Sequence, residues 1–129
     1  MSNRELREDA RAYFVPIILG SNSSAHKLSS KIFRKFGIHP IIADTKRSLP
    51  GIFDPFCYFV RLVPTNDIII AEQLTDLACQ MTQTQSILIP CSKEYKSFVD
   101  AHLVELEQIF IISQPENVFS LSPLAKVMN

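Results

Sequence analysis

The run Tyr13-Phe14-Val15-Pro16-Ile17-Ile18-Leu19 is apolar at nearly every position, and Gly20-Ser21-Asn22-Ser23-Ser24 follows it at once. A continuous apolar run of this length suits a strand buried on both faces, as in a parallel sheet covered by helices. Pro16 removes a ladder donor, which places it near the start of the strand and leaves 17–19 as the regular part. The turn is rich in residues that accept positive φ or cap helices. Beyond it Ala25, Leu28, Ile32, Phe33 and Phe36 recur at spacings of three and four, a single apolar helical stripe. Arg34 and Lys35 fall in the last turn, where the helix dipole favours cations, and Gly37 stops the helix.

The same strand–turn–helix pattern recurs down the chain. His39-Pro40-Ile41-Ile42-Ala43-Asp44 reads as a second strand ending in an acid, and 45–56 as a loop without helical period. Tyr58 to Val63 reads as a third strand. Asp67 can cap a helix over 67–82 whose buried face holds Ile70, Leu74, Leu77, Ala78 and Met81. A fourth strand covers 86–90. Ser92 can cap a helix over 92–107 with Tyr95, Phe98, Val99 and Leu106 on its stripe. A fifth strand covers 109–112, 115–119 is a turn, and Ser122-Pro123 is a helix-start signal. Alternation of short buried strands with helices of this kind predicts an α/β, Rossmann-like three-layer sandwich. Its sheet is mainly parallel, with five strands in the order 3-2-1-4-5. The expected core comprises Ile18, Leu28, Ile32, Val60, Leu77, Leu88, Phe98 and Leu106.

Length and composition agree with one domain. The chain has 129 residues and an apolar fraction of 47%, enough for a real core. Lys+Arg and Asp+Glu are 13 each, so the formal charge is zero, which argues against a nucleic-acid or membrane-surface role. No apolar run approaches the length needed to span a bilayer, and the charged start of the chain has no signal-peptide hydrophobic stretch, so the cytoplasm is the expected compartment. Cys57, Cys79 and Cys91 share no C-x-x-C spacing and read as reduced, mostly buried residues. His26, His39 and His102 are dispersed without metal-ligand spacing and read as surface or boundary residues. No Ser-His-Asp set stands out. No metal site is expected.

In a doubly wound sheet, ligands approach the C-terminal strand ends where the strand order reverses, here between strands 1 and 4. That singles out Gly20, Ser21, Asn22 and Ser23 after strand 1, and Cys91, Ser92, Lys93 and Glu94 after strand 4, as candidate substrate-binding residues. The plain alternative for both segments is a polar turn that only caps its helix. The first turn has one glycine, whereas a dinucleotide motif needs a second to let the backbone approach a pyrophosphate. Asp44 sits where such folds carry the acid that holds a ribose hydroxyl. Cys91 has a helix N-terminus beside it but no local histidine to activate it as a nucleophile.

The segments Phe14-Val15-Pro16-Ile17-Ile18-Leu19-Gly20-Ser21-Asn22 and Ile87-Leu88-Ile89-Pro90-Cys91-Ser92-Lys93-Glu94-Tyr95 carry a family resemblance. They resemble the first βα unit and the Pro-x-Ser-Asp-Glu-Tyr turn of ATP-grasp carboxylate–amine ligases. The opening is most similar to the D-aspartate ligase branch, and Lys93 stands where that family usually carries an acid. The resemblance implies that 13–121 is the pre-ATP-grasp domain, with 1–12 a lead-in and 122–129 the start of a helix leading to ATP-grasp domains. It implies a reaction in which ATP converts a carboxylate to an acyl phosphate that an amine then attacks. ATP and magnesium would be held by the later domains, and none is expected on residues 1–129, which alone should be inactive. The implied partners are those domains, small carboxylate and amine substrates, and a second copy of the chain in a homodimer.

Overall fold

The structure is a computed structural model that describes residues 14–48, 54–81 and 84–120. The readings of 1–12 and of 122–129 fall outside the described residues. Five strands, β1 (Phe14–Leu19), β2 (Ile41–Asp44), β3 (Tyr58–Arg61), β4 (Gln85–Pro90) and β5 (Ile111–Ile112), form one sheet in the order β3-β2-β1-β4-β5. Every pairing is parallel. Helices α1 (Ser23–Phe36), α2 (Asp67–Cys79), α3 (Lys93–Ala101) and α4 (Leu103–Glu107) flank it, and Pro115–Ser120 forms a 3-10 turn.

Alternation along each strand divides the core in two. Ile18, Ile42, Ile87 and Ile89 face α1, meeting Ala25, Leu28, Ile32 and Phe36, with Val118 of the 3-10 turn closing that layer. Ile17, Leu19, Ala43 and Leu88 face the other way, against Leu74, Phe98, Val99 and Leu106 of α2, α3 and α4. Ile17, Ile18, Leu19, Ile87, Leu88 and Ile89 are all fully buried, so the centres of both middle strands read as continuous apolar runs because both their faces are covered.

Both strand prolines fall where no donor is needed. Gly20 donates to Ala43 on β2 while Leu19 accepts from Cys91 beyond β4, so alternate residues of β1 turn toward opposite neighbours. Pro16, two pleats before Gly20 in the alternation, turns its nitrogen toward β2, whose pairing begins only at Ile17↔Ile41. Pro16 therefore lies inside β1 rather than at its start. By the same rule Pro90 turns toward β5, which ends at Ile112, opposite Leu88.

Several boundaries differ from the sequence reading. Asn66, not Asp67, caps α2: its side chain accepts the Ile69 amide, and Asp67 is the first helical residue. The expected helix over 92–107 is interrupted at His102, whose φ of −118° and ψ of 23° leave the helical region and divide α3 from α4. Val60 and Leu77 are half-buried rather than core, because β3 is an edge strand and of α2 only Leu74 is fully enclosed. The remaining six expected core residues are buried. Leu88 sits in a central strand and is fully enclosed. Leu88→Ala should therefore lower the unfolding free energy by about 2–5 kcal/mol in urea denaturation, and a loss below about 0.5 kcal/mol would contradict the sheet order.

Candidate functional site

The C-terminal ends of β1, β2 and β4 meet at one edge of the sheet, joined by side chains from the turns. Gly20 has φ +112°, a conformation that L side chains rarely adopt. A Cβ there would meet Tyr95 Cδ2 at 3.6 Å, an ordinary contact, so the glycine serves the turn rather than a close approach. Asn22 caps α1 by accepting the Ala25 amide at 2.8 Å through Oδ1, and its Nδ2 donates to the Cys91 carbonyl at 2.9 Å. One side chain therefore starts a helix and ties the β1 turn to the β4 turn across the switch point. Ser92 caps α3, accepting the Tyr95 amide at 3.2 Å.

Asp44 closes the same edge. Its Oδ2 accepts the Ser21 amide at 2.7 Å, and its Oδ1 accepts the Thr45 amide at 2.7 Å and the Tyr95 hydroxyl at 2.9 Å. Burial pushes the Tyr95 phenol up, and the bond to the Asp44 carboxylate pushes it the same way. The Thr45 hydroxyl adds a longer bond to Oδ1 at 3.4 Å, so the acid that would hold a ribose in a dinucleotide fold is committed to donors of its own chain.

Beside this staple lies an open cleft of about 620 Å³, lined by Gly20, Asn22, Asp44, Thr45, Lys46, Asp67, Ile70, Ser92, Glu94, Tyr95 and Phe98. Of the eight residues singled out in the sequence, Gly20, Asn22, Ser92 and Glu94 line it. Ser21 turns to the opposite side of the turn, and Ser23 lies on the outer groove along α1. Lys93 is exposed and does not line the cleft. Cys91 is buried, and burial pushes its thiol up to about 11, which removes the thiolate that a nucleophile requires. The three cysteines are free, as expected, but only Cys91 is buried, Cys57 being intermediate and Cys79 exposed. Lys46, Asp67 and Tyr95 were not among the sequence candidates. They give the cleft a cation beside the acids Asp67 and Glu94.

A second constellation lies on the α1 side of the same turn. Ser21 Oγ is 3.0 Å from His26 Nε2, and His26 Nδ1 is 2.6 Å from Asp54 Oδ2. The His26 and Asp54 side chains are 8% and 4% exposed, so His26 is neither a surface nor a boundary residue, contrary to the sequence reading. The connectivity is that of a hydrolytic triad, but Ser21 Oγ is fully occupied. It accepts the Ser48 amide at 3.1 Å and meets Ser48 Oγ at 3.1 Å besides His26, which uses its one proton and two lone pairs. Burial alone would raise the Asp54 carboxyl, yet hydrogen bonds from His26, the Phe56 amide and Cys57 carry it below its ordinary value.

Compared with family models, curated proteins and solved structures, the chain matches none. Among the described residues no helix is long and apolar enough to cross a membrane.

The depressed Asp54 carboxyl fixes a pH signature. Stability supplied by a group whose folded pKa lies below its unfolded value is whole above the unfolded pKa and is lost as pH falls through the folded one. Asp54→Asn should therefore cost about 1–3 kcal/mol at neutral pH. The gap to the parent chain should close below about pH 4 in urea titrations, whereas a pH-independent gap would contradict the role given to the charge.

Proposed function

We propose that the chain is the N-terminal, substrate-side domain of an ATP-dependent carboxylate–amine ligase. The observation that carries this reading is the charge make-up of the cleft at the switch point. Lys46 offers a cation to a small carboxylate, and Asp67 and Glu94 offer acids to an amine, within one depression where α/β sheets receive ligands. Gly20, Asn22 and Ser92 supply its floor. A cytoplasmic location belongs to the same proposal, since three free cysteines suit a reducing compartment.

The residues of this cleft do not fit ATP and magnesium. The Asp44 oxygens are taken by Ser21, Thr45 and Tyr95, and the Asn22 amide group is spent on Cys91. The sequence has no G-x-x-x-x-G-K-[ST] loop to cradle phosphates. Nucleotide and metal therefore belong, in this reading, to the ATP-grasp domains that the resemblance implies.

Calorimetry of the 129-residue chain with ATP and magnesium should show no micromolar binding, and the full-length natural protein should release ADP only when a carboxylate and an amine are both present. Micromolar binding by the 129-residue chain would contradict the reading and point to a free-standing nucleotide module. In the full-length protein Lys46→Ala should raise the KM of the carboxylate substrate about tenfold, some 1.4 kcal/mol, with the KM of ATP within about twofold.

A further inference from the structure

Asp54 and Cys57 come from the connection between β2 and β3, and His26 closes the first turn of α1. One donor atom from each lies within 4.8 Å of the other two. We propose that His26, Asp54 and Cys57 form a zinc site, with the fourth position left to water.

The donor set selects the metal. One imidazole, one carboxylate and one thiolate suit a borderline ion bound tetrahedrally by nitrogen, oxygen and sulfur. Calcium and magnesium require several oxygen ligands, and this cluster supplies one carboxylate. In a tetrahedral zinc site the donors stand roughly 3.3–3.8 Å apart, so seating the ion opens the 2.6 Å pair of His26 Nδ1 and Asp54 Oδ2 and draws in the wider separations, which reach no more than 4.8 Å, each by a shift of no more than about 1 Å. The ligands are held in place around it. Asp54 Oδ1 accepts the Phe56 amide at 2.8 Å, leaving Oδ2 aimed at His26. Ser21 holds the other edge of the ring at Nε2, the outer-shell contact that orients metal-bound histidines.

Ser21 also makes the exchange of hydrogen bond for metal cheap. With a proton on Nδ1, the ring donates to Asp54 and its Nε2 accepts the Ser21 hydroxyl. With the proton on Nε2, the ring donates to Ser21, which turns its own hydroxyl to Ser48 Oγ, 3.1 Å away. Either tautomer leaves Ser21 fully bonded and Nδ1 is freed for the ion. On binding, the Cys57 S–H bond breaks, the electron pair goes to zinc and the proton goes to solvent. The imidazole proton passes from Nδ1 to Nε2, and no group is oxidised or reduced. In the metal-free protein, burial and the Asp54 charge push the Cys57 thiol up to about 12, so the ion must displace a firmly held proton.

The site is distinct from the cleft: Ser21 turns away from it, and none of the three ligands lines it. The experiment is titration of the 129-residue chain with zinc alone and cobalt(II) alone. One zinc per chain should survive desalting. Cobalt should give the visible bands of a four-coordinate ion and a thiolate-to-cobalt charge-transfer band. Cys57→Ser should abolish that band and weaken zinc at least tenfold while circular dichroism shows the fold retained. Cys79→Ser and Cys91→Ser should change neither. Failure of the parent chain to retain zinc, a six-coordinate cobalt spectrum, or a charge-transfer band that survives Cys57→Ser would each overturn the proposal.

Discussion

The edge of the sheet depends on the carboxylate of Asp44. Donors from three parts of the chain, the Ser21 amide, the amide and hydroxyl of Thr45 and the Tyr95 hydroxyl, converge on its two oxygens. A carboxylate is one of the few side chains that can accept so many bonds at once, and charge-assisted bonds of this kind are shorter and stronger than neutral ones. The turn after β1, the end of β2 and the first turn of α3 are thereby fixed against one another. Asn22 adds the remaining link, from the β1 turn to the β4 turn. The cleft owes its shape to these ties, and they also explain what it is unsuited to hold: the groups that would meet a nucleotide elsewhere are here joined to each other.

The β1 turn works on both of its sides. Toward the cleft it presents Gly20 and Asn22; away from it, Ser21 joins His26 and Ser48, and His26 in turn joins Asp54. The second side holds down a connection that, among the described residues, has no helix of its own. Its described residues are secured to α1 and to the β1 turn by polar anchors, His26 to Asp54 and Ser21 to Ser48. Lys46, at the start of this connection, lines the cleft.

Much of the fold was legible because its strongest signals are independent of context. The unbroken apolar runs at 14–19 and 87–90 can only be satisfied by a sheet covered on both faces, and the stripe from Ala25 to Phe36 admits one helix orientation. Boundaries were less legible where two neighbours have the same chemistry. Asn66 and Asp67 both cap well, and only the extended backbone of Asn66 decides between them. The break at His102 left no trace because the apolar pattern of Phe98, Val99 and Leu106 runs straight through it. The site was half legible. Residues on the βα turns follow from topology, but Lys46, Asp54 and Cys57 come from a segment with no period to read, and Asp54 is 28 residues from His26.

The proposed role of the cleft at the C-terminal strand ends requires that it receive a small molecule bearing a carboxylate, an amine or both. Amide chemical-shift mapping of the 129-residue chain against an excess of a small amino acid tests it most directly. The expected shifts are confined to Gly20, Asn22, Lys46, Asp67, Ser92 and Glu94, with Lys27 and Lys31 on the outer side of α1 unmoved. Shifts that follow the outer basic face of α1 instead, or none at saturating ligand, would contradict it.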